Sequence, residues 1–283
     1  MPFPGYKIYE EYNPEQYKTS VQKKVERVLG EAEAEKKGGI TPESLEFREL
    51  IEREQESLNA FFGHEIEVPP LPDEITPERY ERWKEMGFEL HYLPPEEMKK
   101  ETDFPGWKKK PEDWFYGRLK ENEIPADAAK LPDAWILTDA RKKPAYNSGK
   151  QMYEDDILEP VLEDLRKRKI ITDFTVKNSR FNISYDELQK PEVKQAIALA
   201  LDVPEESLRL PRAIEWNFMG NAYHPEWGET NTWEWFDDSY QKGQGRLYGG
   251  YSGYGGLSNV YWSDPGGRSD GLGFRLQVVF SRE

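Results

Sequence analysis

The sequence predicts an α+β protein, with a mostly helical N-terminal region over residues 1–110 and a mixed region over residues 111–283. Three observations predict it. Helix-start signals with proline at the first helical position recur through the first hundred residues. Short apolar, β-type runs occur later, at Ala134 to Thr138 and at Leu272 to Phe280. Between Tyr248 and Phe274 nine glycines interleave with four tyrosines, and no long helical pattern follows Pro211.

Taken in order, Asn13-Pro14-Glu15 caps a first helix whose Tyr17, Val21, Val25 and Val28 recur at helical spacing, and Gly38-Gly39 stops that segment. Thr41-Pro42-Glu43 starts a second, with Leu45, Leu50, Ile51, Leu58 and Phe61 as its stripe. Thr76-Pro77-Glu78 starts a third, with Tyr80 and Trp83, ending near Gly87. The stripes are narrow, so these helices need something to pack on. They read either as a solvated cap on the following domain or as a homo-oligomerisation arm. The proline- and lysine-rich stretch from Pro94-Pro95 to Pro111 is the expected domain boundary. Beyond it, Ala134 to Thr138 is a buried strand, Met152 to Arg168 an amphipathic helix and Ile170 to Val176 a second strand. Ser184 to Glu187 fits a capping box, and Val193 to Leu201 a short helix. The last hundred residues read as strands and loops around large aromatics.

Composition excludes several functions. The net charge of −15 repels phosphate backbones, which argues against nucleic acid as a direct ligand. The absence of cysteine removes disulfides, thiol nucleophiles and thiolate metal sites together. With 9 Trp, 16 Tyr and 13 Phe, the chain is too aromatic to be disordered. The first 25 residues hold no signal-peptide core and no run approaches the ~18 residues of a membrane helix, so a soluble, by default cytoplasmic, protein without membrane partners is expected. His64, His91 and His224 are widely spaced and read as ordinary polar residues, so neither metal nor cofactor is expected.

Three blocks carry a resemblance. They are Leu210-Pro211-Arg212-Ala213-Ile214-Glu215-Trp216, then Thr232-Trp233-Glu234-Trp235-Phe236-Asp237-Asp238, then Gly245-Arg246-Leu247-Tyr248-Gly249-Gly250 with Leu272-Gly273-Phe274-Arg275-Leu276. In this order they resemble the C-type lectin fold, in the branch of formylglycine-generating enzymes and of the variable proteins of diversity-generating retroelements. The resemblance covers roughly residues 112 to 283 and implies a C-type lectin fold for that half. The enzymes of this branch use copper-binding cysteines, which this chain lacks. Related iron enzymes take histidines from an added helical domain, and the histidines here show no such pairing. Calcium lectins of the fold use EPN or QPD with WND motifs, of which only Trp262-Ser263-Asp264 is a partial echo.

The resemblance therefore implies a non-enzymatic binder whose variable region lies at about residues 246–275, close to the chain's end. In such proteins, error-prone copying at template adenines turns Asn codons mainly into Tyr, Ser, Asp, Gly and similar residues. Tyr251, Gly253, Tyr254, Tyr261, Ser263, Asp264, Gly267, Ser269 and Gly271 match that menu and are the expected contacts to a protein or other macromolecular ligand. Leu257, Val260, Pro265, Arg268 and Leu272 read as scaffold between them, with Trp216, Trp233, Trp235, Trp262 and Phe274 as expected supports. Glu215 and Glu234 could be mistaken for a glycosidase acid pair, but such positions are expected to satisfy loop backbone. Asp237 and Asp238 read as turn or cap residues. The alternatives are a divergent enzyme of the formylglycine-generating type without its catalytic cysteines, and a structural or assembly protein.

Overall fold

A computed structural model describes residues 45–280. The expected first helix and the Thr41-Pro42-Glu43 start lie outside the described residues. In chain order the elements are α1 (Leu45–Phe62), α2 (Pro77–Glu85), β1 (Phe88–Leu93), α3 (Asp113–Lys120), β2 (Ala134–Asp139), α4 (Glu159–Lys167), α5 (Tyr185–Leu188) and α6 (Pro191–Leu201). They continue with β3 (Leu208–Arg209), α7 (Ala213–Ala222), β4 (Trp233–Tyr240), β5 (Gly245–Gly249), β6 (Val260–Ser263), β7 (Leu272–Phe274) and β8 (Gln277–Phe280). The chain is a mixed α+β structure with two four-stranded sheets, ordered β1-β2-β8-β3 and β6-β5-β4-β7. Among the described residues no helix is long and apolar enough to cross a membrane.

The first sheet forms around β2. All six of its residues are buried, so its apolar run is continuous rather than alternating. It pairs antiparallel with β1 on one side and β8 on the other. β1 is a strand that the helical reading of the first hundred residues missed. α1 and α2 lie on the rest of the fold. Phe61 and Phe62 meet Phe218 of α7 at ring-centroid distances of 4.8 and 5.6 Å. Trp83 of α2 donates through Nε1 to the Leu201 carbonyl at 2.8 Å. The segment around the expected boundary near residue 110 bonds to the later half: Asn217 donates to the Lys109 carbonyl, and the Glu112 N–H to the Ser258 carbonyl. Most of the buried apolar residues form one cluster, from Phe47 to Phe280.

Three further elements differ from the sequence-based expectation. The helix expected from Met152 begins only at Glu159, because Asp155 adopts a positive φ of 48° and Pro160 is tolerated only in a first turn. The strand expected over Ile170 to Val176 does not form; the Thr172 N–H is taken by the Glu187 carboxylate instead of a ladder. The third difference is α7, a helix inside the region read as strands and loops. Ala213 to Gly220 are all buried, so the helix is enclosed on every side and carries no amphipathic stripe to reveal it. It is capped from another element: Asp238 of β4 accepts from the Ala213 N–H at 2.6 Å.

Candidate functional site

The second sheet presents a face of aromatic rings. Its register sets Trp235 of β4 beside Tyr248 of β5, and Tyr248 beside Tyr261 of β6. Burial decreases across the three: Trp235 is enclosed, Tyr248 half-buried and Tyr261 47% exposed. Trp233 lies two residues before Trp235 and so on the same face. Its ring stacks on Tyr251 at 4.3 Å, and Tyr251 meets Tyr254 at 5.2 Å. On the other side Tyr261 meets Trp114 at 5.1 Å, Trp114 meets Tyr240 at 5.7 Å, and Tyr240 stacks on Trp262 at 4.8 Å. With the Trp233–Tyr248 and Tyr248–Tyr261 edge contacts, the rings run unbroken from Tyr254 to Trp262. Tyr254 and Tyr261 stand furthest into solvent, at 69% and 47% exposure, with Tyr146 at 41%.

The expected contact residues divide by position. Tyr254, Gly253 and Asp264 are exposed, while Tyr251, Ser263, Gly267 and Ser269 are half-buried. Gly271 is buried beneath Trp233 and Tyr146. Asp264 and Ser269 bond locally: the Asp264 carboxylate accepts from the Gly266 N–H at 2.8 Å and the Ser269 hydroxyl from the Gly271 N–H at 3.2 Å. Of the expected supports, Trp216, Trp235 and Phe274 are buried, whereas Trp233 and Trp262 are half-buried members of the ring row. Tyr146 was missed by sequence reasoning, which had no reason to connect residue 146 with the glycine-rich stretch near the end of the chain. Its hydroxyl donates to Asp270 at 2.7 Å, and its N–H donates to Asn231.

The loop carrying Tyr251 and Tyr254 is held by backbone. The Ser252 N–H donates to the Thr230 carbonyl at 2.9 Å, and the Gly256 N–H to the Tyr251 carbonyl at 3.0 Å. Gly256, at φ +61°, crosses so close to Gly228 that a Cβ would lie 2.3 Å from its carbonyl oxygen. A cavity of about 560 Å³ adjoins this loop, lined by Lys142, Lys143, Glu154, Thr230, Asn231 and Ser252 among others.

Beneath the face the motif blocks meet in a buried polar network. Trp216 donates through Nε1 to Glu234 at 2.7 Å, Tyr153 donates to the same carboxylate, and Arg275 pairs with it at 3.1 Å. Burial alone would raise the Glu234 carboxyl, but Arg275 and Lys143 hold it below its ordinary range. Glu215 is held low against burial by Arg209, and accepts from Gln277 at 2.9 Å. Both glutamates are thus engaged mainly by side chains, where loop backbone was expected, and both are held charged, whereas a general acid needs a raised pKa. Lys143 donates to the Thr232 and Gly250 carbonyls at 2.7 Å each, and burial, aided by Arg275, pushes it down to about 7. Asp238, the cap of α7, is pushed up to about 7 by burial.

The histidines also need correcting. His91 and His224, read from the sequence as unpaired, both contact Glu89, at 3.1 and 3.3 Å. Residues 91 and 224 are joined by the fold alone, because α7 ends beside β1. No protein-family model, curated protein or solved structure matches the chain.

Proposed function

We propose that this chain is a non-enzymatic binding protein that displays a replaceable surface on a C-type lectin scaffold, in the manner of retroelement variable proteins. The observation that carries this reading is the ring row, buried at Trp235 and open at Tyr254 and Tyr261, within the stretch of Tyr, Ser, Asp and Gly. Tyrosines offer broad amphipathic contact at low rotamer cost, and a firmly held loop avoids an ordering penalty on binding. The resemblance gains support from the motif blocks: they meet in one network at Glu234, and β4 pairs with both β5 and β7. The residues of the blocks thus belong to the support, and the side chains between them supply the variable contacts. The ligand class that suits such a face is a protein or other macromolecule.

Two experiments test this. The DNA beside the gene should contain a near-copy of the codons for residues 246–275, differing at adenines, next to a reverse transcriptase gene; its absence would overturn the diversification. A library randomised at Tyr251, Tyr254, Tyr261 and Ser263 should consist mostly of folded proteins. Loss of folding across most members would overturn the assignment of these side chains to a replaceable surface.

A further inference from the structure

Glu89 and His91 are two residues apart on β1, so their side chains share one face of the strand. His224 follows the end of α7. The Nε2 atoms of both imidazoles approach the same carboxylate oxygen, Glu89 Oε2, at 3.1 and 3.3 Å. Each Nδ1 faces a further carboxylate: His91 towards Glu54 at 3.0 Å and His224 towards Glu226 at 3.3 Å. Imidazoles that ligate metals commonly carry such a carboxylate behind the ligating nitrogen, which fixes tautomer and ring orientation. Both rings are also clamped by aromatics. His224 stacks on Trp227 at 4.5 Å and 6°, and His91 packs on Tyr223 at 4.0 Å.

His224 Nε2 is buried without a hydrogen-bond partner. It faces the Glu89 carboxylate at 3.3 Å, an ion-pair approach whose angles fall short of a well-formed hydrogen bond. The carboxylates of Glu54, Glu89 and Glu226 gather around the two imidazoles, an excess of negative charge suited to a dication. From this arrangement the geometry points to a divalent transition-metal site formed by Glu89, His91 and His224, of the zinc type.

The distances fit that assignment. Tetrahedral zinc with bonds near 2.0–2.2 Å sets its ligand atoms roughly 3.3 Å apart. Two edges of the triangle already have that length, and the three ligand atoms lie within 4.8 Å of one another. The remaining edge closes by at most about 1.5 Å to reach tetrahedral spacing. Nitrogen and carboxylate donors without thiolate suit a borderline ion. The Glu89 side chain is 48% exposed, so the cluster is open to solvent on the Glu89 side. The site ties β1 to the end of α7 and is separate from the tyrosine face.

The test uses the full chain, stripped with a chelator and titrated with Zn²⁺ by calorimetry, and with Co²⁺ by visible absorption. One ion per chain is expected, with a Co²⁺ spectrum of low coordination number. Glu89→Gln should weaken binding at least 10-fold and His224→Asn at least 100-fold. His64→Asn, which alters an exposed histidine paired with Glu96, should leave binding unchanged. His91 is buried against Glu54 and its loss threatens folding, so Glu89→Gln, at the exposed corner, is the deciding variant, with its melting curve as the folding control. Failure of the wild-type chain to bind one Zn²⁺ at micromolar concentration would overturn the site. So would undiminished binding in Glu89→Gln combined with His224→Asn, which would leave the cluster an ion-pair network.

Discussion

Truncating Trp235 and Tyr254 to alanine, one at a time, should separate scaffold from surface. Trp235 is fully buried, and its Nε1 donates to the Ile183 carbonyl at 3.0 Å. Removing such a ring costs about 3–5 kcal/mol in transfer and cavity terms, before the unpartnered carbonyl is counted. Tyr254 is 69% exposed, so it covers about 60 Å² of the ~200 Å² an aromatic side chain can bury. At ~25 cal/mol per Å² that is about 1.5 kcal/mol, and regained rotamer freedom returns roughly 0.5–1 kcal/mol of it. Each kcal/mol moves Tm by about 2–4 °C in a domain of this size. Tm followed by circular dichroism should therefore drop by roughly 6–20 °C for Trp235→Ala and by under ~4 °C for Tyr254→Ala. Equal losses for the two variants would refute the division between buried support and open face.

Asp238 supplies a pH test: burial raises its pKa from 3.8 to about 7, so its contribution to stability is fully present below the unfolded value and is lost as pH rises through the folded one. The stability of wild type minus that of Asp238→Asn should fall between about pH 4 and pH 7 by up to roughly 4 kcal/mol, measured by urea unfolding across pH, and a flat difference would refute the burial argument. Gly256→Ala adds a Cβ 2.3 Å from the Gly228 oxygen at φ +61° and should cost roughly 2–4 kcal/mol; Gly243→Ala, at φ +95° with nothing within 4 Å, should cost about 1 kcal/mol, and similar melting curves for the two would contradict the crossing.

Local signals were legible where local chemistry decides the element. Thr76 caps α2 by accepting from the Arg79 N–H at 3.3 Å, ahead of Pro77. Ser184 and Glu187 form their capping box. Leu50, Leu58 and Phe61 of the expected α1 stripe are buried. What remained hidden depends on partners distant in sequence. α7 is enclosed all round, so its own sequence carries no amphipathic stripe, and Asp238 of β4 adds to its cap from a distant strand. β1, next to a helix-rich stretch, is a strand because β2 offers it an edge. Tyr146 reaches Asp270, and His91 meets His224 through Glu89, over separations that no spacing rule reaches.

The glycines between Tyr248 and Phe274 look like flexibility in the sequence but allow close contact in the fold. A Cβ on Gly249 would sit 2.0 Å from the Asn259 carbonyl oxygen, so β5 can lie under the returning chain only without a side chain there. Asn259 then holds the far side of the loop, accepting from the Gly250 N–H through its carbonyl and from the Tyr251 N–H through its side chain, at 3.2 Å each. Tyr251 is fixed in turn by stacking on Trp233. Rigidity at this loop therefore rests on Gly249, Asn259 and Trp233, whose contacts are to backbone and to other rings. Tyr254 and Tyr261 contribute little to that bracing, so side chains at those positions are expected to change without loosening the loop. If the face binds a ligand as proposed, that ligand would meet a surface already ordered.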